Sequence, residues 1–322
     1  MKKWILILLA PVIALPLLVL LAAKAIAENF KKNLRKRGPG EDFGTKTDVT
    51  VYKNSPFPKA VEDAREYMKT IKREEVYTTS EDGLKLHAAF FPAEGPSKGF
   101  VIGIHGFQSF DWFELVPHIS YYHSIGFHVL LPQDRAHGES EGDYVTMGVK
   151  DRRDCISWVH YLTDRFGEDS NILLHGVSMG GATVLSASGE EDLPKQVVGI
   201  VSDCGYTDAK AAFENQIQSL YHIPPAFPVK VCAWVAKHEM GYDLSEARPI
   251  NQVKKARVPI LFVQGEKDIM VPKPMVDALY EACSAPKKLF LVPNANHAES
   301  VALDPEGYHA AMEEMFHLKD LV

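Results

Sequence analysis

A serine flanked by glycines stands between a predicted buried strand and a predicted helix. Residues 171–175 form the apolar run, G-V-S-M-G occupies residues 176–180, and residues 183–187 continue with helical character. A G-x-S-x-G motif between a strand and a helix is the pattern of a nucleophile elbow. Glycine at the flanking positions removes a clash in the tight turn and tolerates strained dihedral angles. The motif therefore predicts a strand–turn–helix unit with the hydroxyl of Ser178 projecting above a sheet.

Short apolar runs alternate with helical patterns along most of the chain. Residues 76–79 and 84–90 flank a glycine turn and predict a β-hairpin. The later runs expected to be strands are 100–104, 127–131, 171–175, 197–201, 258–263 and 289–292. Helices between such strands imply a mostly parallel sheet covered on both faces. The predicted fold class is α/β, with an eight-stranded, mostly parallel sheet and helices on both faces.

The alternation stops between residues 206 and 256, where aromatic, proline-rich helical sequence takes its place. We interpret this segment as a small helical cap inserted over the sheet. The remaining divisions follow from composition: residues 1–37 as an apolar anchor with a basic end, residues 38–72 as a linker and an amphipathic helix, and residues 73–322 as the α/β domain with its cap.

The amino terminus carries a long uncharged segment. Residues 4–23 contain no charged side chain, and twenty helical residues span about 30 Å, the hydrocarbon thickness of a bilayer. We expect a single transmembrane anchor; the alternative is a signal peptide cleaved after Ala27, since residues 25–27 are Ala-Ile-Ala. The excess of Lys and Arg after the apolar segment favours a cytoplasmic catalytic domain, but the side of the membrane stays open.

Charge and metal-binding residues exclude other classes of function. Beyond residue 37 the chain has 27 basic and 41 acidic side chains, a net charge of −14, which argues against nucleic acid as a partner. The four cysteines, Cys155, Cys204, Cys232 and Cys283, form no C-x-x-C and are expected to be buried thiols. The histidines show no metal-site spacing, so neither a metal nor another cofactor is expected.

A serine nucleophile needs a base, and the base needs an orienting acid. With this elbow the partners follow in the order Ser, Asp or Glu, His. Asp268 comes directly after the predicted strand 258–263, and His297 follows the last one. Both loops lie at carboxyl ends of strands, where open α/β sheets place their sites. We predict a Ser178–Asp268–His297 triad, with Asp203 as a less favoured acid because its strand leads into the cap.

Backbone N–H groups are expected to stabilise the oxyanion. Phe107 follows His105-Gly106 at the end of a predicted strand, and Met179 follows the nucleophile. N–H groups at these two places can point at the developing negative charge. An apolar substrate pocket is expected beneath the cap. Its predicted wall residues are aromatic: Trp112, Tyr206, Phe213, Tyr221, Phe227 and Trp234.

Five short motifs together resemble the α/β-hydrolase superfamily. They are H-G at 105–106, R-A-H-G-E-S at 135–140, G-V-S-M-G at 176–180, G-E-K-D at 265–268 and N-H at 296–297. In detail the chain is similar to membrane-anchored bacterial serine esterases and lipases of the monoacylglycerol-lipase and serine-aminopeptidase-like branch. The resemblance covers about residues 75–320 and implies the triad and oxyanion donors named above. Gln133 departs from it, since that branch usually has Asp at this generally structural position.

These features predict a membrane-anchored serine hydrolase that cleaves carboxylic esters of short to medium acyl chains. The superfamily hosts several activities, so the fold alone does not fix the substrate. Two alternatives remain open at this point. One is a peptidase of prolyl-aminopeptidase type, and the other is a binding module on a retained hydrolase scaffold.

Overall fold

The computed structural model describes residues 2–36, 55–109 and 112–320, and only the backbone of residues 2–17. Its described residues form one eight-stranded sheet in the order β1-β2-β4-β3-β5-β6-β7-β8. Strand β2 pairs antiparallel with β1 and β4, and the remaining neighbours are parallel. The predicted α/β class with a mostly parallel eight-stranded sheet is confirmed.

The strand bounds agree closely with the apolar runs of the sequence. In chain order the strands are β1 (Glu74–Thr79), β2 (Lys85–Phe91), β3 (Phe100–Ile104), β4 (His128–Pro132), β5 (Ile172–Val177), β6 (Val197–Asp203), β7 (Ile260–Gly265) and β8 (Lys287–Val292).

Helices occupy the segments between the strands. In chain order they are α1 (Lys2–Leu34), α2 (Phe57–Met68), α3 (Val116–Ser124), α4 (Asp151–Phe166), α5 (Met179–Ala187), α6 (Ala209–Tyr221), α7 (Ala226–Glu239), α8 (Pro249–Gln252), α9 (Lys273–Ala282), α10 (Ser300–Leu303) and α11 (Pro305–Phe316). Short 3₁₀ turns cover Leu244–Glu246 and Val253–Lys255.

The sheet separates two apolar layers. Alternate residues of a strand point to opposite faces, and in β3 Val101 belongs to one buried cluster while Phe100 and Ile102 belong to the other. The first cluster includes Tyr122 of α3 and the second includes Trp158 of α4. Helices therefore cover both faces, and the carboxyl ends of the parallel strands are left for the site.

The second half of α1 packs into the folded domain. Phe30 and Leu34 are buried, and the Phe30 ring meets Phe213 of α6 edge-on with centroids 5.7 Å apart. The backbone then joins the domain, because Val145 N–H donates to the Leu34 carbonyl at 2.8 Å. A boundary at residue 37, as predicted from composition, would thus remove two core side chains from the α/β domain.

The predicted anchor falls largely outside the described side chains. Residues 4–17 have no described side chains, and the linker 38–54 lies outside the described residues altogether. Within the described part of the chain, no helix has the length and apolar character needed to cross a membrane. The anchor and the domain limits remain predictions.

A buried histidine beneath the site is held neutral by its surroundings. His175 lies on β5, and its two ring nitrogens contact the hydroxyls of Tyr122 at 2.9 Å and Tyr308 at 3.1 Å. Burial lowers the pKa of His175 to about 3, with a smaller contribution from the nearby His309. At neutral pH the ring therefore contributes to the fold as an uncharged hydrogen-bonding bridge between α3 and α11.

We expect His175 to make the fold sensitive to acid. The unfolded chain takes up a proton near the ordinary histidine pKa of about 6.5, whereas the folded chain does so only near pH 3. This stabilisation is complete above 6.5 and decreases as pH falls, by about 1.4 kcal/mol per pH unit. His175→Gln should flatten the pH dependence of the unfolding free energy, measured with denaturant. The exposed His160→Gln is the control, and parallel curves for wild type and His175→Gln would contradict a neutral His175.

Candidate active site

Ser178 occupies the tight turn between β5 and α5. Its φ of 58° and ψ of −115° are strained for a residue with a side chain. The turn is held in place because Ser178 N–H donates to the backbone carbonyl of Asp203, at the end of the neighbouring β6, at 2.8 Å. The sequence prediction of an elbow at this serine agrees with that geometry.

Two glycines allow the turn to pack closely. A Cβ at Gly176 would lie 2.1 Å from the Gly180 carbonyl oxygen, and a Cβ at Gly180 would lie 1.9 Å from the Ile104 carbonyl oxygen. Real side chains do not approach backbone oxygens this closely, so neither position accepts alanine without a backbone shift. These glycines therefore fix where Ser178 stands relative to β3.

The sheet brings the three predicted triad residues together. The Ser178 hydroxyl donates to His297 Nε2 at 2.8 Å, and His297 Nδ1–H donates to Asp268 Oδ2 at 2.7 Å. Asp268 follows β7 and His297 follows β8, so all three side chains meet at carboxyl ends of parallel strands. This is a continuous chain of hydrogen bonds from a buried carboxylate to a hydroxyl.

The carboxylate of Asp268 is held by its own loop. Oδ1 accepts from the N–H groups of Met270 at 2.8 Å and Val271 at 2.9 Å, and Oδ2 also accepts from Gln264 Nε2 at 3.1 Å. Gln264 was missed by the sequence analysis, since a glutamine inside a strand gives no local signal. Asp203, the less favoured acid, contributes its backbone carbonyl to Ser178, whereas the hydrogen bond of His297 Nδ1 goes to Asp268.

The surroundings of His297 raise its affinity for a proton. Burial of the ring lowers its pKa, but the charge of Asp268 and its hydrogen bond raise it further, and the net pKa lies well above the ordinary 6.5. An imidazole with a raised pKa is a stronger base in its neutral form. Asp268 thus raises the proton affinity of the ring nitrogen that lies beside the Ser178 hydroxyl.

A buried thiol also contacts the histidine. Cys204 Sγ lies 4.0 Å from His297 Nε2, and burial raises the pKa of this thiol to about 11. Potential ligand atoms of Cys204, Asp268 and His297 lie within 4.8 Å of one another. Both ring nitrogens of His297 already have hydrogen-bond partners within the site. The group fits proton transfer better than ion binding.

The loop after β3 passes beside the nucleophile. A Cβ at Gly106 would lie 3.3 Å from Ser178 Cβ, which places the following residue, Phe107, at the edge of the site. Met179 is the first residue of α5, and an N–H at this position has no acceptor within its helix. Phe107 and Met179 are therefore positioned as candidate oxyanion donors.

Two contacts hold this loop that the sequence did not reveal. The buried carboxylate of Glu114 accepts hydrogen bonds from Gly106 N–H and the Ser109 hydroxyl. The side-chain amide of Gln108 donates to the Asn33 carbonyl near the end of α1. The loop is thus connected on one side to the core and on the other to the amino-terminal helix.

The predicted pocket residues do not form one wall. Trp112 is in the core and its indole N–H donates to the Pro132 carbonyl at 2.8 Å, so the prediction that it lines the pocket is wrong. Tyr206 is buried with its hydroxyl on the Met147 carbonyl at 3.0 Å. Phe213 packs on Phe30 within the cluster that contains Met179 and Phe107. The remaining three are exposed on the cap: Tyr221, Phe227 and Trp234.

Gln133, where the resembling hydrolases usually have Asp, makes hydrogen bonds within its own loop. Its side-chain oxygen accepts from Glu139 N–H at 2.7 Å and contacts His87 Nδ1 at 2.8 Å. Gln133 therefore closes the loop of residues 133–140. Arg135, in the same loop, is buried and pairs with Asp154 and Asp82. Both residues act on the loop and not on the reacting atoms.

The state of His297 can be measured directly. We expect its imidazole ¹H–¹⁵N resonances to titrate at a pH above 6.5, because the carboxylate of Asp268 stabilises the charged ring. Asp268→Asn removes that charge and should lower the pKa of His297. Asp164→Asn, an exposed residue of α4, is the matched control. An unchanged pKa in Asp268→Asn would show that Asp268 does not set the protonation of His297.

Curated relatives of the chain are mostly uncharacterized. It is 25% identical over 190 residues to the uncharacterized protein YqkD of Bacillus subtilis, covering 59% of this chain and 62% of that protein. The chain thus spans less than two thirds of that relative. It is 28% identical over 256 residues to the uncharacterized membrane protein YNL320W of Saccharomyces cerevisiae, covering 77% of this chain and 83% of the yeast protein.

Solved structures and a family profile agree on the fold. The Pyrococcus furiosus esterase Pf2001 aligns with a TM-score of 0.63 and 24% identity, covering 77% of this chain and 93% of the esterase. A puromycin hydrolase aligns with a TM-score of 0.56 and 18% identity, covering 77% of this chain and 40% of that enzyme. The profile described as "Alpha/beta hydrolase family" matches residues 101–311, about two thirds of the chain. The chain belongs to the alpha/beta hydrolase family.

Proposed function

We propose that this protein is a serine hydrolase that cleaves carboxylic esters of short to medium acyl chains through an acyl-enzyme. The observation that carries the proposal is the hydrogen-bonded chain from Asp268 through His297 to Ser178. A pure binding module has no need for a strained serine with a hydrogen-bonded base and acid. Family membership and the esterase among the solved neighbours support the same reaction class.

The reaction follows from the positions of these groups. Ser178 Oγ attacks the ester carbonyl carbon while its proton moves to His297 Nε2. The oxyanion of the tetrahedral intermediate accepts hydrogen bonds from the N–H groups of Phe107 and Met179. The intermediate collapses, the C–O bond breaks, and His297 returns the proton to the leaving alcohol. Water then gives a proton to His297 and attacks the acyl carbon, the bond from that carbon to Ser178 Oγ breaks, and His297 returns the proton to Ser178 as the carboxylic acid is released.

The surroundings of the nucleophile favour an acyl group over a charged peptide terminus. Phe107 and Phe213, both partly exposed, pack with the buried Phe30 and Met179 in one apolar cluster next to Ser178. Such a surface binds hydrocarbon by burial, at about 0.8 kcal/mol per methylene. A peptidase resembling the puromycin hydrolase would need polar groups that recognise an amino acid. Peptidase activity is therefore the alternative to the proposed esterase activity.

We also propose that residues 4–23 anchor the protein in the cell membrane. The run is uncharged in sequence, and α1 continues without interruption from Lys2 to Leu34. The yeast relative is named a membrane protein, which supports the proposal. The side of the membrane that the catalytic domain faces is left open.

A fluorophosphonate probe should label Ser178, and hydrolysis of p-nitrophenyl esters should exceed that of aminoacyl-p-nitroanilides. Ser178→Ala and His297→Ala should each lower kcat by about 10⁶, and the double variant should lose little more because the two act as a unit. Ser186→Ala, a buried serine of α5, is the control. If the anilides are hydrolysed faster than the esters, the protein is a peptidase and not an esterase. If the probe does not label Ser178, the protein is not a serine hydrolase.

Glu114 should position the oxyanion loop. Glu114→Ala removes the acceptor of Gly106 N–H and Ser109, so we expect kcat to fall by about 10² with little change in KM. Glu114→Gln keeps one carbonyl acceptor and should recover part of that loss. Steady-state kinetics on a soluble ester provide the measurement. A rise in KM with unchanged kcat would place Glu114 in substrate binding instead.

A further inference from the structure

Large apolar side chains are exposed together at one corner of the cap. We call this set the cap corner: it joins the end of α6, the turn that follows, and α7. Its members have exposed fractions between 43% and 65% and are Leu220, Tyr221, Ile223, Phe227 and Trp234. Several large apolar side chains exposed on two consecutive helices and the turn between them are the kind of surface that interaction sites use.

A second exposed apolar stretch lies on α1. Residues 18–21 read Leu-Val-Leu-Leu, and their side chains have exposed fractions between 47% and 66%. They form the last part of the uncharged run 4–23. Among the described residues, most of the large exposed apolar side chains therefore belong either to this stretch or to the cap corner.

The two surfaces belong to one packed unit. Helix α1 packs against α7, Phe30 contacts Phe213 of α6, and Lys31 pairs with Glu239 at the end of α7 at 2.8 Å. About 14 Å of helix separates Leu21 from Phe30, and about 12 Å separates Phe213 from Tyr221. The cap corner and the apolar stretch therefore lie on helices that pack against each other.

The charge next to this unit identifies the partner. Residues 24–36 carry five basic side chains and one acidic side chain, in a protein whose net charge is −7. Basic side chains directly after an apolar helix match anionic lipid headgroups, and their stems can lie along the hydrocarbon. A second copy of the chain would instead bring two such basic segments together. The charge therefore favours a bilayer as the occupant of the apolar surface.

We propose that the cap corner inserts into the headgroup–acyl boundary of the same bilayer that holds α1. The protein then contacts the membrane at two places, through α1 and through the cap. Because α1 also holds the oxyanion loop through Asn33 and Gln108, the catalytic site lies at a fixed height above the lipid. This inference rests on the anchor proposed above, and on the proposed esterase activity only for its functional consequence: access to esters dissolved in the bilayer.

The first experiment measures insertion without using activity. Ile223→Cys in the full chain is labelled with an environment-sensitive fluorophore and reconstituted in phosphatidylcholine–phosphatidylglycerol vesicles. The four native cysteines are buried, so the introduced thiol is the one that reacts. Lys254→Cys, on an exposed turn outside the cap corner, is the control. We expect a blue shift and quenching by nitroxide-labelled acyl chains at position 223 and neither effect at position 254.

Two results would overturn the proposal. A water-like, unquenched label at position 223 in vesicle-bound protein would show that the cap corner does not insert. A blue shift that depends on protein concentration and is insensitive to nitroxide lipids would show that a second copy covers the surface.

The second experiment tests the functional consequence. The double variant Leu220→Glu, Ile223→Glu should lose about tenfold or more of the rate on a long-chain ester dispersed in vesicles, and keep its rate on p-nitrophenyl acetate. The double variant Lys254→Gln, Lys255→Gln changes net charge by the same amount and should behave as wild type. Equal losses on both substrates would contradict a membrane role. If wild type cleaves neither ester, the proposed activity fails, and the label experiment still decides the insertion.

Discussion

The close backbone contact between α5 and β3 determines the arrangement of the site. Gly180 approaches the Ile104 carbonyl so closely that no side chain fits, and Ile104 is the last residue before the loop of residues 105–109. One contact thus sets both the position of Ser178 and the distance from Ser178 to the oxyanion loop. The strain at Ser178 is tolerated because the surrounding sheet and helix fix the turn from both sides. The rest of the site is assembled around this contact.

The order of the strands in the sheet positions the other residues of the site. Ser178, Asp268 and His297 follow β5, β7 and β8, and β6 between them contributes the Asp203 carbonyl that holds the elbow. Parallel strands in register end at the same edge, so residues far apart in sequence meet without a dedicated scaffold. Short backbone hydrogen bonds then orient each side chain. The geometry of the candidate site therefore depends on strand order more than on any single loop.

The sequence analysis succeeded where the signal is local or ordered along the chain. The strands follow from apolar runs and are confirmed; Ser178, Asp268 and His297 lie within hydrogen-bonding distance at strand ends, and their role as a triad stays a prediction. Glu114, Gln264 and Cys204 were missed because their roles depend on partners brought close only by the tertiary fold. Trp112 was assigned to the pocket wrongly, since a tryptophan near a loop carries no information about which layer its ring enters.

The thiol of Cys204 has a consequence for observing motion in this protein. It is fully buried beside His297, and the raised pKa keeps it unreactive even when reagent is present. Alkylation therefore requires the structure around it to open, and its rate counts those opening events. The Cys204 sulfur, next to the proposed catalytic base, is therefore a native probe of how often the site opens.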